Sequence, residues 1–236
     1  MTTNYFLCIE TSGKYCAVCL LAGEEVLAYR RNMKENQHGS DIVLLIEEVL
    51  AEGQISYRDL KAVAVNLGPG SYTSLRIGLA TAKGLCYALD LPLIGLTGFD
   101  ILLDYAQSTD LSMYGQSSPD YFIPMLDAGR MEVYTSIYDG SKMEWAEYEP
   151  KILDSESYVE FFDQSVCFVG DGVFKWWSNI EVPKQWCSID VSIDVKMMRT
   201  LVNRFYGENK ISNLFQTRPL YIKKPNITTS KKRYFV

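Results

Sequence analysis

The sequence predicts an α/β fold made of two βββαβαβα halves, and three observations lead there. The chain opens with three short β-rich runs separated by the turns Thr11-Ser12-Gly13-Lys14 and Ala22-Gly23-Glu24. The same opening returns after residue 120: Tyr121-Phe122, Asp127 and the turn Ala128-Gly129-Arg130 parallel Tyr5-Phe6, Glu10 and Ser12-Gly13-Lys14. Between them the apolar run Ala62-Val63-Ala64-Val65 ends in Gly68-Pro69-Gly70 and reopens with hydroxyl residues. That pattern reads as buried strand, tight turn and helix N-terminus.

Taken in order, strands are expected at 5–10, 15–21 and 25–31, which make a meander. Residues 41–50 repeat apolar side chains at Ile42, Leu45, Ile46 and Val49, one helical stripe. Val43 and Leu44 fall outside it and need cover, either from a neighbouring helix of the same chain or from another subunit. A strand to Asn66, a helix to Leu89, a strand at 93–96 and a helix at 99–106 complete the first half. The polar stretch 107–120, with Ser108, Ser112, Gly115, Ser117, Ser118 and Pro119, is the natural linker and divides the chain into 1–107 and 108–236. In the second half a meander runs to residue 148. A helix at 155–163, a strand at 166–169, a short helix opened by Gly170-Asp171-Gly172 and a helix at 194–206 follow.

The glycine-rich turn leaves backbone N–H groups at a helix start. These suit a phosphate or carboxylate, or are capped by the turn's own Ser and Thr side chains. Neither phosphate-loop pattern is met: Ser71 and Tyr72 stand where a Lys would follow Gly70, and Thr73 occupies the place of a third glycine. The following helix carries Gly78, Ala80, Thr81, Ala82 and Gly84, and each interior Gly costs about 1 kcal/mol relative to Ala. Something must offset that cost, so Gly78, Thr81 and Ala82 point to tight packing on one side. Arg76, Lys83 and Tyr87 lie on a different side, a contact face or a solvated one.

Composition narrows the function classes. The chain has 236 residues, 47% of them hydrophobic and 22% charged, which is ordinary for a globular protein. A net charge of −6 requires any nucleic-acid contact to use a local basic patch. Lys223, Lys224, Lys231, Lys232 and Arg233 form the only basic cluster, which reads first as a solvated tail. No apolar run approaches the ~20 residues of a membrane span, and MTTNYFLCIE has no basic region before its apolar stretch. A cytoplasmic protein without a membrane partner is expected. Six cysteines at uneven spacings make no disulfide framework. Cys16 and Cys19, three apart on a strand, point to opposite faces, which argues against a shared metal. His38 is the only histidine and sits in a polar loop before a helix, so two-histidine metal sites are excluded and a peptidase lacks its usual partners.

The segment 66–88, NLGPGSYTSLRIGLATAKGLCYA, resembles the GPGSFTGLRIG…AKGLA segment of the TsaB (YeaZ) family of tRNA-modification proteins. CIETSGKYCAVCL at 8–20, MLDAGRMEVY at 125–134, GDG at 170–172 and, more loosely, RPLYIKK at 218–224 extend the resemblance over most of the chain. It implies the fold of the actin, sugar-kinase and Hsp70 superfamily (ASKHA), in which acidic residues at the first hairpin of each half, here Glu10 and Asp127, face an interdomain cleft. The family's catalytic relative, TsaD, carries two metal-binding histidines just after the strand corresponding to 93–96, where this chain has Thr97-Gly98-Phe99-Asp100. The resemblance thus implies a non-catalytic paralogue with no catalytic residue, metal or cofactor of its own, ATP and Mg²⁺ being held weakly and only within a complex. Its implied partners are a TsaD-like transferase, a TsaE-like ATPase and, through the complex, tRNA modified to threonylcarbamoyladenosine beside the anticodon; alone, it is expected to form a homodimer.

The family's pairing surface maps onto the first two helices, 39–52 and 73–89. The expected contact residues are Ser40, Val43, Leu44, Glu47, Thr73, Arg76, Ile77, Gly78, Ala80, Thr81, Lys83, Gly84 and Tyr87. A phosphotransferase of the superfamily would instead use cleft carboxylates for Mg²⁺ and glycine hairpins around the phosphates. Glu10, Ser12, Gly13, Gly68, Gly70, Ser71, Asp127 and Gly129, with Asp171 as a further carboxylate, are the candidates for that nucleotide or anion cleft. Turn geometry alone also accounts for acidic residues beside glycines. A glycoprotease-like peptidase, the older label of the wider family, is the remaining alternative.

Overall fold

A computed structural model describes residues 3–32, 38–115 and 118–223, with the side chain of His38 excluded. β1 (Tyr5–Glu10), β2 (Ala17–Ala22) and β3 (Glu25–Arg31) form the first meander. α1 (His38–Gly53), β4 (Leu60–Asn66), α2 (Tyr72–Leu89), β5 (Leu93–Leu96) and α3 (Gly98–Ser108) follow. The strands order as β3-β2-β1-β4-β5, with β1 antiparallel to β2 and parallel to β4. Both faces of this sheet are covered, which is why its central strands read as continuous apolar runs. Leu7, Ile9, Val18, Leu20, Val63 and Val65 face α1 and α2, while Phe6, Cys8, Cys19, Leu21, Ala62 and Ala64 face the other way. Cys16 and Cys19 fall into different clusters, so the strand period places them as expected.

The second half contains β6 (Tyr121–Asp127), β7 (Glu132–Thr135), β8 (Tyr138–Asp139), β9 (Glu144–Trp145), β10 (Glu149–Ile152), β11 (Val166–Val169), α4 (Phe174–Trp177), β12 (Trp186–Ile189) and α5 (Arg199–Gly207). Its sheet path, β10-β7-β6-β11-β12, repeats the order and strand directions of the first. The duplication inferred from the two hairpins is therefore present in the strand topology, and the fold is α/β with two sheets of like order.

The helices are shared between the sheets. Phe99, Leu102, Leu103 and Ala106 of α3 pack with Phe122, Leu126, Cys167 and Val169 of the second sheet, whereas Ile101 packs on the first. Leu201 and Val202 of α5 return to the first sheet.

Two expected elements differ. The strand expected at 142–148 is a side hairpin, β8 paired with β9 on the outer end of β6, and the chain re-enters the sheet only at β10. Asp139 accepts from the backbone N–H of Ser141 and Lys142, at 3.0 and 3.1 Å, and this Asx-type turn bends the chain early. The helix expected at 155–163 is a run of turns with a single 3-10 turn at Val159–Phe161. Ser157 and Asp154 bond to each other and to local backbone, which competes with helical bonding. Tyr158 then turns left-handed (φ 66°) to bury its ring. The sequence reading did not place β12, a four-residue strand too short to show a period.

Candidate functional site

Two surfaces drew sequence-based expectations, and the structure treats them differently. The first is the cleft between the halves, about 720 Å³, lined by Glu10, Ser12, Gly13, Gly70, Ser71 and Asp127. Gly68 and Gly129, expected there, are not among its lining residues. The Gly68 N–H is bonded to Asn66 Oδ1 at 2.9 Å, and the Gly129 N–H, in the turn between β6 and β7, donates to Asp127 Oδ1 at 2.7 Å.

Part of the amide nest expected at the glycine-rich turn is taken up by the protein itself. The Ser71 N–H donates to the Ser12 carbonyl at 3.0 Å, and Ser71 makes no side-chain cap. Gly70 is required for another reason: a Cβ there would collide with the Ser12 carbonyl, because the first hairpin lies directly on this turn. Chain packing accounts for Gly70.

The carboxylates are likewise engaged. Glu10 is buried and accepts from the Ser12 N–H at 2.5 Å and the Asn66 side-chain amide at 2.6 Å. Burial pushes its carboxyl above the ordinary range despite these bonds. Asp127 is pushed up by burial too, but the Lys175 ammonium at 2.6 Å and the Gly129 N–H outweigh this and hold it below the usual carboxylate range. Asp171, raised mainly by burial, accepts from the Asp127 N–H at 2.9 Å. The Asp127 Oδ1 oxygen is held by Lys175 Nζ, so a Mg²⁺ at that oxygen would compete with the lysine. Among the described residues no group of three or more His, Cys, Asp or Glu could hold a metal ion.

Lys175, Arg31, Tyr29, Tyr134 and Asp194 belong to this cleft region and were missed in the sequence. The opening of α4 near the GDG turn was a signal for Lys175. The others come together only through the interdomain geometry.

The second surface is the outer side of α1 and α2. Val43, Leu44 and Tyr87 are 52%, 58% and 74% exposed, and Ser40, Glu47, Thr73, Arg76, Ala80 and Gly84 are exposed with them. Ile77, Thr81 and Lys83 are half-buried. Among the described residues no helix covers Val43 and Leu44.

Gly78 is a correction to the expected contact set. It is buried against Thr11, and a Cβ would collide with Thr11 Oγ1, a buried hydroxyl with no hydrogen-bond partner. Ala82 is fully buried in the internal core, so the small residues serve the sheet side of α2. Arg76, Lys83 and Tyr87 already meet this chain's own C-terminal segment. Arg76 Nε donates to the Tyr221 hydroxyl at 2.8 Å, Lys83 Nζ to the Phe215 carbonyl at 3.4 Å, and the Tyr87 ring meets Phe215 edge-on at 6.5 Å. His38 begins α1, but its side chain lies outside the described residues, as do Lys224, Lys231, Lys232 and Arg233. No helix among the described residues is long and apolar enough to cross a membrane.

Comparison with known proteins agrees with this architecture. Residues 32–161, more than half of the chain, match the family model described as TsaD, tRNA N6-adenosine threonylcarbamoyltransferase. The chain is 31% identical over 133 residues to the tRNA threonylcarbamoyladenosine biosynthesis protein TsaB of Bacillus subtilis, covering 56% of this chain and 54% of that one. It is 35% identical over 104 residues to a tRNA N6-adenosine threonylcarbamoyltransferase of Clostridium kluyveri, covering 41% and 30%. It thus spans about half the length of the first curated relatives it matches. The solved YeaZ from Pseudomonas aeruginosa superposes with a TM-score of 0.71 at 19% identity over 92% of this chain and 99% of that one, a likeness of fold. The chain belongs to the TsaD family, and within it is similar to TsaB (YeaZ) proteins.

Proposed function

We propose that this protein is a non-catalytic pairing subunit in the formation of threonylcarbamoyladenosine in tRNA, docking through α1 and α2 onto a TsaD-like transferase. A TsaE-like ATPase and the tRNA itself are reached through that complex, and a second copy of this chain takes the partner's place when it is absent. The carrying observation is the exposed apolar pair Val43 and Leu44 on α1, with α2 packed alongside that helix. Neighbouring exposed aliphatic side chains on a helix are a feature of protein interfaces. Glu10, Asp127 and Asp171 are each held by backbone or by a cation.

Co-expression with a TsaD-like protein, followed by size-exclusion chromatography, tests this reading. The two chains should co-elute, and Leu44→Glu should abolish co-elution while leaving the melting temperature unchanged. Co-elution that survives both Leu44→Glu and Val43→Glu sinks the assignment of the face.

The interdomain cleft favours a second reading, a phosphotransferase of the superfamily. Calorimetry with ATP and Mg²⁺ separates the two. Weak or undetectable binding is expected for the isolated protein. Low-micromolar binding, with turnover lost on Asp127→Ala, would establish the alternative.

A further inference from the structure

We infer that residues 212–223 are a latch that holds the two halves in one orientation across the cleft, with Lys223 and Tyr221 as its catch. The chain leaves α5 on the first sheet and returns along the edge of that sheet. The Ser212 N–H donates to the Leu93 carbonyl at 2.8 Å, and the Ser212 hydroxyl accepts from the Gly95 N–H at 2.9 Å. Farther on, the Leu220 N–H donates to the Leu67 carbonyl at 2.7 Å, beside the glycine-rich turn.

From that point the contacts change halves. Leu220 and Ile222 pack into the cluster built around Phe99 and Leu126, at the base of the second sheet. Lys223 Nζ reaches both carboxylate oxygens of Glu132, on β7, at 2.8 and 2.6 Å. On the first half the Tyr72 hydroxyl donates to the Lys223 carbonyl, and the Tyr72 and Tyr221 rings stack at 4.6 Å and 6°. Lys223 is therefore gripped from both sides, by Tyr72 of α2 through its backbone and by Glu132 of β7 through its side chain.

The placement matters because the gripped residues adjoin the cleft rim. Tyr72 follows Ser71, and Tyr134, two residues beyond Glu132, lines the cleft itself. A stacked aromatic pair and a two-oxygen ion pair in series restrain a hinge more than an isolated surface ion pair would. The same Tyr221 receives Arg76 from the outer side of α2, so the latch touches the partner-facing helix and the cleft at once. Opening of the cleft and a change at Arg76 are thereby linked through one side chain.

Hydrogen–deuterium exchange on the full chain, with Lys223→Glu, Glu132→Lys and the double charge swap, tests the latch. Each single variant should raise exchange several-fold at the two cleft hairpins, 11–15 and 127–131, and at 70–72, with the α1 and β1 amides unchanged. The double swap should restore wild-type exchange. Tyr221→Ala should reproduce the single-variant pattern, and Tyr221→Phe, which keeps the stack, should give less of it. Unchanged exchange at the hairpins in both single variants overturns the latch. So does a uniform rise throughout the chain that the double swap leaves in place, since that would be general destabilisation.

Discussion

The Asn66 side-chain amide donates to a buried carboxylate oxygen of Glu10 at 2.6 Å, joining the ends of two adjacent strands, β1 and β4, where both turn into cleft-lining loops. The other end of the same amide accepts from the Gly68 N–H at 2.9 Å. One asparagine thus sets the first hairpin and the glycine-rich turn relative to each other. Asn66→Ala should cost about 1–3 kcal/mol, the range for stranding a buried hydrogen-bonded group. Urea unfolding measures it, and a loss indistinguishable from zero would mean that the loops are positioned by packing alone.

Glu10 also predicts a pH dependence. Its carboxyl lies above the ordinary range in the folded protein, chiefly through burial. The folded state therefore binds the proton more tightly than the unfolded chain does. The stabilisation from this group is complete below the unfolded pKa and is lost as pH rises through the raised folded value. Asn66→Ala removes a donor to the charged form and should move the Glu10 midpoint still higher. Carboxyl carbon NMR shifts read both midpoints; a Glu10 midpoint below the ordinary glutamate range contradicts the assignment.

Asp127 titrates in the opposite sense. Lys175 and the Gly129 N–H hold it below the usual range, so its contribution is present above the unfolded pKa and fades as pH falls through the folded one. Lys175→Met should raise the Asp127 midpoint toward the value burial alone would set. If that midpoint does not move, the ion pair is not what holds it.

Gly78 and Leu44 separate internal packing from pairing. Gly78→Leu would drive side-chain atoms into Thr11 and should lower stability by about 1–3 kcal/mol or more. Leu44→Glu, on an uncovered side chain, should stay within about 0.5 kcal/mol. Thermal melts of the two variants check this. Equal melting temperatures would show that Gly78 has more room than its neighbours suggest.

What the sequence determined by itself was what is local or repeated. Short continuous apolar runs marked β1, β2 and β4, the recurrence of the hairpin at Asp127 announced the second sheet, and the stripe Ile42-Leu45-Ile46-Val49 marked the buried side of α1. Val43 and Leu44 were legible as needing cover because they lie off that stripe. Tertiary structure alone decided what each special residue meets. Gly70 meets the Ser12 carbonyl, Gly78 meets Thr11, and Arg76 reaches a tyrosine 145 residues away. Asp127 meets Lys175, and Glu132 meets Lys223, across separations of 48 and 91 residues. The physical reason is that a glycine or a charge carries the same local signal whatever approaches it, while the approaching group is selected by how the sheets and helices pack. Period and propensity are properties of a segment; a contact belongs to two segments that only the fold brings together.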